Sequence, residues 1–209
     1  MLDGLLVGEN RLMPNVKSWR ALAASVLFTL PLVRELTLWS GCIDAGRESA
    51  NKCLEAGHSL VIVPGGEHEQ MLTRYGHESV YIKKRKGFVR LALKHKTGLI
   101  PAYVFGCVDT QHTSSFLIDL RMWLMKNYYV AIPLFAGEYY LPGAAFRVPL
   151  NVVFGPPIEM PEMPELAKGE MPERALVDKV HAQYVVALKK VFDDNKAKFG
   201  CAGRELEIL

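Results

Sequence analysis

The sequence predicts an α/β protein, on three observations. Helix-length amphipathic segments alternate with short β-branched runs. Two of those runs stop at glycine turns, Val61-Ile62-Val63-Pro64-Gly65-Gly66 and Val104-Phe105-Gly106. Half of the 209 residues are hydrophobic, enough for one sizeable core, so a single domain over residues 1–209 is expected.

In chain order, residues 19–30 are apolar on most faces and are predicted helical, closed by Pro31. Residues 47–55 form a second predicted helix, with Asp44 as N-cap and Gly57 as the stop. Residues 59–63 read as a strand, and 79–82 as a short β-prone piece. Residues 86–96 look helical, with Phe88, Val89, Leu91, Ala92 and Leu93 inward and Gly98 at the end. Residues 99–105 are another strand. Two strands ending in glycine turns on one layer would build one ligand-facing edge. Residues 128–149 are aromatic and apolar, broken by Pro and Gly. Their rings, Tyr128, Tyr129, Phe135, Tyr139, Tyr140 and Phe146, suit a membrane interface or a loop packed on the core. A last strand over 151–154 precedes the proline-rich 155–164. Residues 173–199 then form an amphipathic helix with Leu176, Val180, Tyr184, Leu188 and Val191 on one face.

Composition excludes several classes. A net charge of +3, without a recognition motif, gives no support to a nucleic-acid partner. Cys42, Cys53, Cys107 and Cys201 include no CxxC pair, so neither a zinc site nor any other metal site is expected, and they read as reduced thiols. Residues 1–10 lack the basic start and apolar block of a signal peptide, which predicts a cytosol-facing protein. The apolar stretch 21–43 is interrupted by Pro31, Arg34 and Glu35, and falls short of the ~20 residues a span requires. There is no GxSxG elbow, no Walker loop and no GxGxxG. None of the six histidines precedes proline, and none has an aspartate five positions later.

What remains is the turn Pro64-Gly65-Gly66 with His68 and Glu69 behind it, and the basic run Lys83-Lys84-Arg85-Lys86 ahead of Gly87-Phe88. Glycines let a backbone approach a ligand without a Cβ in the way. Arg and Lys at a helix N-terminus suit phosphate, though a solvated rim is the plainer reading of a basic run.

Taken together, Pro64-Gly65-Gly66-x-x-Glu69-x-Met71-Leu72, Arg85-Lys86-Gly87-Phe88-Val89-x-Leu91-Ala92 and Leu99-Ile100-Pro101-x-x-x-Phe105-Gly106 resemble the type-2 diacylglycerol acyltransferase family. Leu30-Pro31-x-x-Arg34-Glu35, Arg47-x-Ser49, Val152-Val153-x-Gly155-x-Pro157-Ile158 and His181-x-x-Tyr184 extend the similarity from about Trp19 to the C-terminus.

The resemblance implies a glycerolipid-acyltransferase-like mixed sheet flanked by helices. It also implies transfer of a fatty acyl group from acyl-CoA, as co-substrate, to the hydroxyl of diacylglycerol, with no cofactor. The implied setting is the cytosolic face of the endoplasmic reticulum membrane or the lipid droplet. Monoacylglycerol, sterol or fatty alcohol are alternative acceptors. Pro64, Gly65, Gly66, Arg85, Lys86, Gly87 and Phe88 would contact substrate, with Glu69 in support of catalysis.

The family's base is attributed to a His-Pro-His-Gly motif, or its plant Glu-Pro-His-Ser counterpart, and neither run occurs in this sequence. The resemblance therefore predicts an N-terminally truncated domain, the C-terminal two-thirds of the family's. The alternative is a short paralogue that binds lipid or a partner without catalysis. His68 is the histidine beside the presumed site and the candidate replacement base, or else a loop histidine; His181 matches a family position where packing is expected. Cys107 stands where relatives often carry Glu or Gln, and Gly137-Glu138-Tyr139-Tyr140 replaces a Gly-Arg-rich segment. Oligomeric state is left open.

Overall fold

The structure is a computed structural model that describes residues 18–128, 132, 134–138, 144–161 and 171–209. It is a mixed α/β arrangement in which, among the described residues, the strands fall into four small sheets. The chain divides into two compact units, Met1–Val63 and Pro64–Leu209.

The first unit contains β1 (Trp19–Ala23), a 3-10 turn (Ser25–Phe28), α1 (Val33–Trp39), β2 (Cys42–Asp44), α2 (Arg47–Glu55) and β3 (Ser59–Val61). Its three strands are parallel in the order β2-β1-β3, with Ala21 opposite Cys42 and Trp19 opposite Ser59. The helix predicted over 19–30 is corrected here. Its first part is the central strand, because pairing on both sides satisfies the backbone where periodicity alone left helix and strand ambiguous. Leu32, at φ 64°, separates the 3-10 turn from α1. Helix α2 has the predicted bounds. The N-cap is Gly46, two residues beyond the predicted Asp44, whose Oδ1 accepts the Gly46 N–H at 2.6 Å. Gly57, at φ 80°, ends it. On α1 and the turn before it, Val26, Leu30, Leu32, Leu36, Leu38 and Trp39 are exposed.

The second unit contains α3 (Gly66–Leu72), β4 (Ser79–Val80), α4 (Gly87–Lys94), β5 (Ala102–Phe105), a 3-10 turn (Cys107–Asp109) and β6 (His112–Thr113). It continues with α5 (Ile118–Tyr128), β7 (Phe135–Ala136), β8 (Asn151–Phe154), α6 (Arg174–Asn195) and β9 (Glu207–Ile208). Strands β5 and β8 pair antiparallel, as do β6 and β7, whereas β4 and β9 run parallel. Strands β3 and β5 do not share a hydrogen-bonded sheet.

The core of this unit lies where α4 and β5 meet α6. Phe88, Val89, Ala92 and Leu93 are buried on α4, and Val177, Val180, Tyr184, Leu188, Val191 and Phe192 on α6. The α6 residues recur every three or four positions, the stripe expected of a helix that buries one face. Phe192 stacks on Phe105 at 5.6 Å and meets Tyr103 edge-on at 5.1 Å; Phe88 meets Tyr184 edge-on at 4.8 Å. Burying each such ring stabilises the fold by roughly 1.5–3 kcal/mol. A Cβ at Gly155 would stand 2.5 Å from Val191 Cγ2, so β8 needs glycine to let α6 approach. Helix α5, absent from the sequence reading, is held by the buried Arg121. Its guanidinium donates to the carbonyls of Ile132, Ser114 and Phe116 at 2.7–3.1 Å.

Tyr129, Tyr139, Tyr140 and part of the proline-rich 155–164 segment lie outside the described residues, as do residues 1–17. Among the described residues, no helix is long and apolar enough to cross a membrane.

Candidate active site

Helix α3 opens directly from the Pro64-Gly65-Gly66 turn. Gly66 sits at φ 56°, a conformation that side-chain-bearing residues avoid, and Gly65 is buried. A Cβ on Gly65 would lie 2.2 Å from Glu69 Oε2 and 2.5 Å from Glu69 Cβ. Glycine at 65 is thus the space that the Glu69 side chain occupies.

Glu69 Oε2 accepts the Tyr81 N–H at 2.8 Å. Burial pushes its carboxyl above the ordinary carboxylate value, and that single amide bond pulls the other way. The phenol of Tyr184, on the buried face of α6, is pushed up to about 12, by burial first and by Glu69 second.

His68 stacks on Tyr81, with ring centroids 5.3 Å apart. Arg85 Nη2 donates to His68 Nδ1 at 2.6 Å, and the guanidinium lies 5.4 Å from the Tyr81 ring centre. That donation fixes an unprotonated Nδ1. Burial and the Arg85 charge hold the imidazole below its usual proton affinity, against a smaller opposite pull from Glu67. His68 and Arg85 therefore meet at the Tyr81 ring, and Glu69, seated against Gly65, meets the same residue at its amide.

The remaining predicted contacts face elsewhere. Lys86 Nζ pairs with Asp178 Oδ1 at 2.7 Å, and Phe88 is buried against Tyr184 and His181. Gly87 is exposed at the first turn of α4. His181 is buried, and its Nε2 donates to Ile82 O at 2.9 Å. Cys107 opens the 3-10 turn and is exposed, and all four cysteines are free thiols. Among the described residues, no cluster of His, Cys, Asp and Glu is arranged to hold a metal ion.

Sequence reasoning missed a second carboxylate. Glu78 is 1% exposed. Tyr103 OH donates to its Oε2 at 2.6 Å, and Arg204 Nη1 to its Oε1 at 3.0 Å. Arg204 also grips Asp109 through two bonds of 2.8 and 2.9 Å. Burial first, then Glu78, pushes the Tyr103 phenol far up. No spacing in the sequence joins Glu78, Asp109 and Arg204, and a Glu between His77 and Ser79 reads as surface.

The geometry defines a half-buried carboxylate and a basic rim gathered at a glycine turn on a mixed α/β scaffold. Comparison with known proteins supplies the family. Residues 7–208 match the family model described as diacylglycerol acyltransferase, and the chain belongs to that family. It is 36% identical over 192 residues to diacylglycerol O-acyltransferase 1 of Eremothecium gossypii, covering 87% of this chain and 41% of that relative. It is 31% identical over 215 residues to acyl-CoA wax alcohol acyltransferase 2 of Mus musculus, covering 97% and 62%. With diacylglycerol O-acyltransferase 2 of Danio rerio it shares 32% over 208 residues, 92% of this chain and 55% of the relative. The chain thus spans about two fifths to three fifths of the length of these curated relatives. No solved structure matches.

Proposed function

We propose that this chain carries part of the active site of an acyl-CoA-dependent O-acyltransferase that makes triacylglycerol from diacylglycerol. The observation that carries the reading is the Glu69 carboxyl. It is seated in the space Gly65 leaves free and bonded to the amide of Tyr81, whose ring Arg85 covers, in a chain that belongs to this family. A glycerolipid-acyltransferase-like fold is part of the proposal, and the mixed α/β arrangement is compatible with it.

In the reaction, the acceptor hydroxyl gives its proton to a base and its oxygen attacks the thioester carbonyl. The tetrahedral oxyanion then collapses, the C–S bond breaks, and the CoA thiolate leaves to be protonated. Arg85, with the exposed Lys83 and Lys84 beside it, would offer charge to the phosphates of acyl-CoA, and Gly87 leaves the N-terminus of α4 open to an anion. His68, with Nδ1 engaged and its proton affinity lowered, fits the orientation of Arg85 better than the role of base. Glu69 would support the site by its charge and position.

Acceptor choice is the finer part of the proposal. The relatives' names divide between diacylglycerol, wax alcohol and 2-acylglycerol acyltransferases. Access from a membrane surface is proposed through α5 and the residues before it, where Phe116, Leu117, Leu120 and Trp123 are 50–67% exposed. The proposed location is the cytosolic face of the endoplasmic reticulum membrane or the lipid droplet.

The test is expression of the full-length protein in cells unable to make triacylglycerol, with labelled diacylglycerol, monoacylglycerol and fatty alcohol offered in competition. Triacylglycerol formation that Glu69→Ala and Gly66→Val each strongly reduce is expected. Wild-type rates in both variants would remove the turn from the site. A full-length protein that binds lipid and transfers no acyl group would favour a non-catalytic binding role instead.

A further inference from the structure

Strand β4 leads directly into Tyr81, the residue whose amide holds Glu69, and its partner is β9. The two run parallel, with Ser79 opposite Glu207 and Val80 opposite Ile208. Glu207 N–H donates to Glu78 O at 2.9 Å, Leu209 N–H donates to Val80 O at 2.9 Å, and Lys83 N–H returns to Leu209 O at 2.8 Å. Successive residues of a strand aim their backbone groups to opposite sides. Glu78 and Val80 aim theirs at β9. Tyr81 therefore aims its N–H away from β9, and Glu69 Oε2 lies there to accept it. A slip of one residue between β4 and β9 would turn that amide the wrong way.

Two residues of strand pairing are too few to fix a register by themselves. The side chains around them supply what the ladder lacks. Glu78, the residue before β4, is locked by Tyr103 and Arg204, and Arg204 is anchored in turn on Asp109. Leu206, between Arg204 and β9, is buried, and His77 meets Glu207 at 2.8 Å across the same register.

We propose that Arg204 and β9 are the positioning device of the Glu69 site: they fix the register of β4 and so the direction of the Tyr81 amide that orients the Glu69 carboxyl. The inference rests on the reading of Glu69 as a site residue. Arg204 touches no reacting atom and is a positioning residue.

The test follows the Tyr81 amide by NMR in the isotope-labelled chain. In the wild type its proton shift tracks Glu69 ionisation across a pH titration, and Glu69→Gln abolishes that response. Arg204→Gln is expected to shrink the response and to speed Tyr81 amide exchange by about tenfold or more, while Val89 and Leu93 in α4 keep their protection. Arg204→Lys, which keeps the charge, is expected to restore most of the response. An unchanged Tyr81 response in folded Arg204→Gln overturns the proposal.

Leu209→Pro removes one ladder bond at the far end of β9 and leaves Arg204 in place, so it decides the matter if Arg204→Gln does not fold. It is expected to weaken the Tyr81 response, and an unaltered response overturns the proposal. Acyl-transfer assays of the full-length protein separate the two readings. Full activity of Glu69→Gln beside an uncoupled Tyr81 in Arg204→Gln leaves the positioning device standing and removes Glu69 from the chemistry. An inactive Glu69→Gln beside an unchanged Tyr81 in Arg204→Gln does the reverse.

Discussion

Glu69 and Glu78 stand nine residues apart on either side of the 73–77 loop, and their surroundings differ in kind. Glu78 is sealed from water with a guanidinium and a phenol on its oxygens. Glu69 is half-buried, and among the described residues the Tyr81 amide is its hydrogen-bond donor. A carboxylate saturated with strong donors is fixed in charge and position, which suits a scaffold. A carboxylate left short of donors keeps its proton to higher pH and has free lone pairs to offer, which suits a site. With Glu69 as the proposed site residue, the difference teaches that the better-bonded acid serves the scaffold.

The largest effect expected from breaking that contrast is on the scaffold side. Glu78→Ala would leave Tyr103 without its acceptor and Arg204 with Asp109 alone, at a cost of about 3–5 kcal/mol in urea unfolding. Gly65→Ala acts on the other acid. Its backbone, at φ −66°, accepts alanine, so the damage is confined to the 2.2 Å conflict with Glu69. Acyl transfer should fall by about 100-fold, the scale on which a displacement near 1 Å acts, with little change in melting temperature.

Glu69→Gln sharpens the contrast through pH. The folded protein holds the Glu69 proton above its ordinary value of 4.5, so this group's contribution to stability is fully present below that value and is lost as pH rises through the folded one. Glutamine keeps an acceptor for Tyr81 and carries no charge. The variant should melt with the wild type near pH 4 and increasingly above it toward neutrality, by less than about 2 kcal/mol, while acyl transfer falls. Equal melting at all pH values would show that burial of Glu69 has no energetic cost.

Lys86→Ala is the smallest expected change. Its pair with Asp178 is 30% and 44% exposed, and such pairs contribute less than about 1 kcal/mol, screened further by salt. A raised KM for acyl-CoA at unchanged stability would show Lys86 leaving Asp178 for a ligand phosphate.

Legibility followed the range of the interactions. Helix α2 and strand β8 could be read at their bounds because a glycine stop and β-branched residues announce them locally, although the cap of α2 is Gly46 and not Asp44. The buried stripe of α6 was visible in the spacing of Val180, Tyr184, Leu188 and Val191. Strand β1 was not, since Trp19–Ala23 has no alternation and its state is decided by neighbours on both sides. Helix α5 was hidden because its own apolar residues are spread around the helix with no single apolar face, and its anchor, Arg121, reads as a surface charge. At the site, the glycine turn, Glu69 and the basic run stood out in sequence. The partner of Arg85 was not apparent, nor was the turn of Lys86 toward Asp178, 92 residues away.

The bond between Arg204 and Glu78 joins residues 126 positions apart. Ribosomes deliver the chain from its N-terminus, so Pro64, Gly65, Glu69 and Arg85 are all made long before their brace exists. During that interval Glu78 has neither Arg204 nor β9, and Tyr81 has no register to hold. The site must wait until residues 204–209 have been synthesised, more than a hundred residues after Glu78, so its assembly cannot keep pace with the making of its own parts.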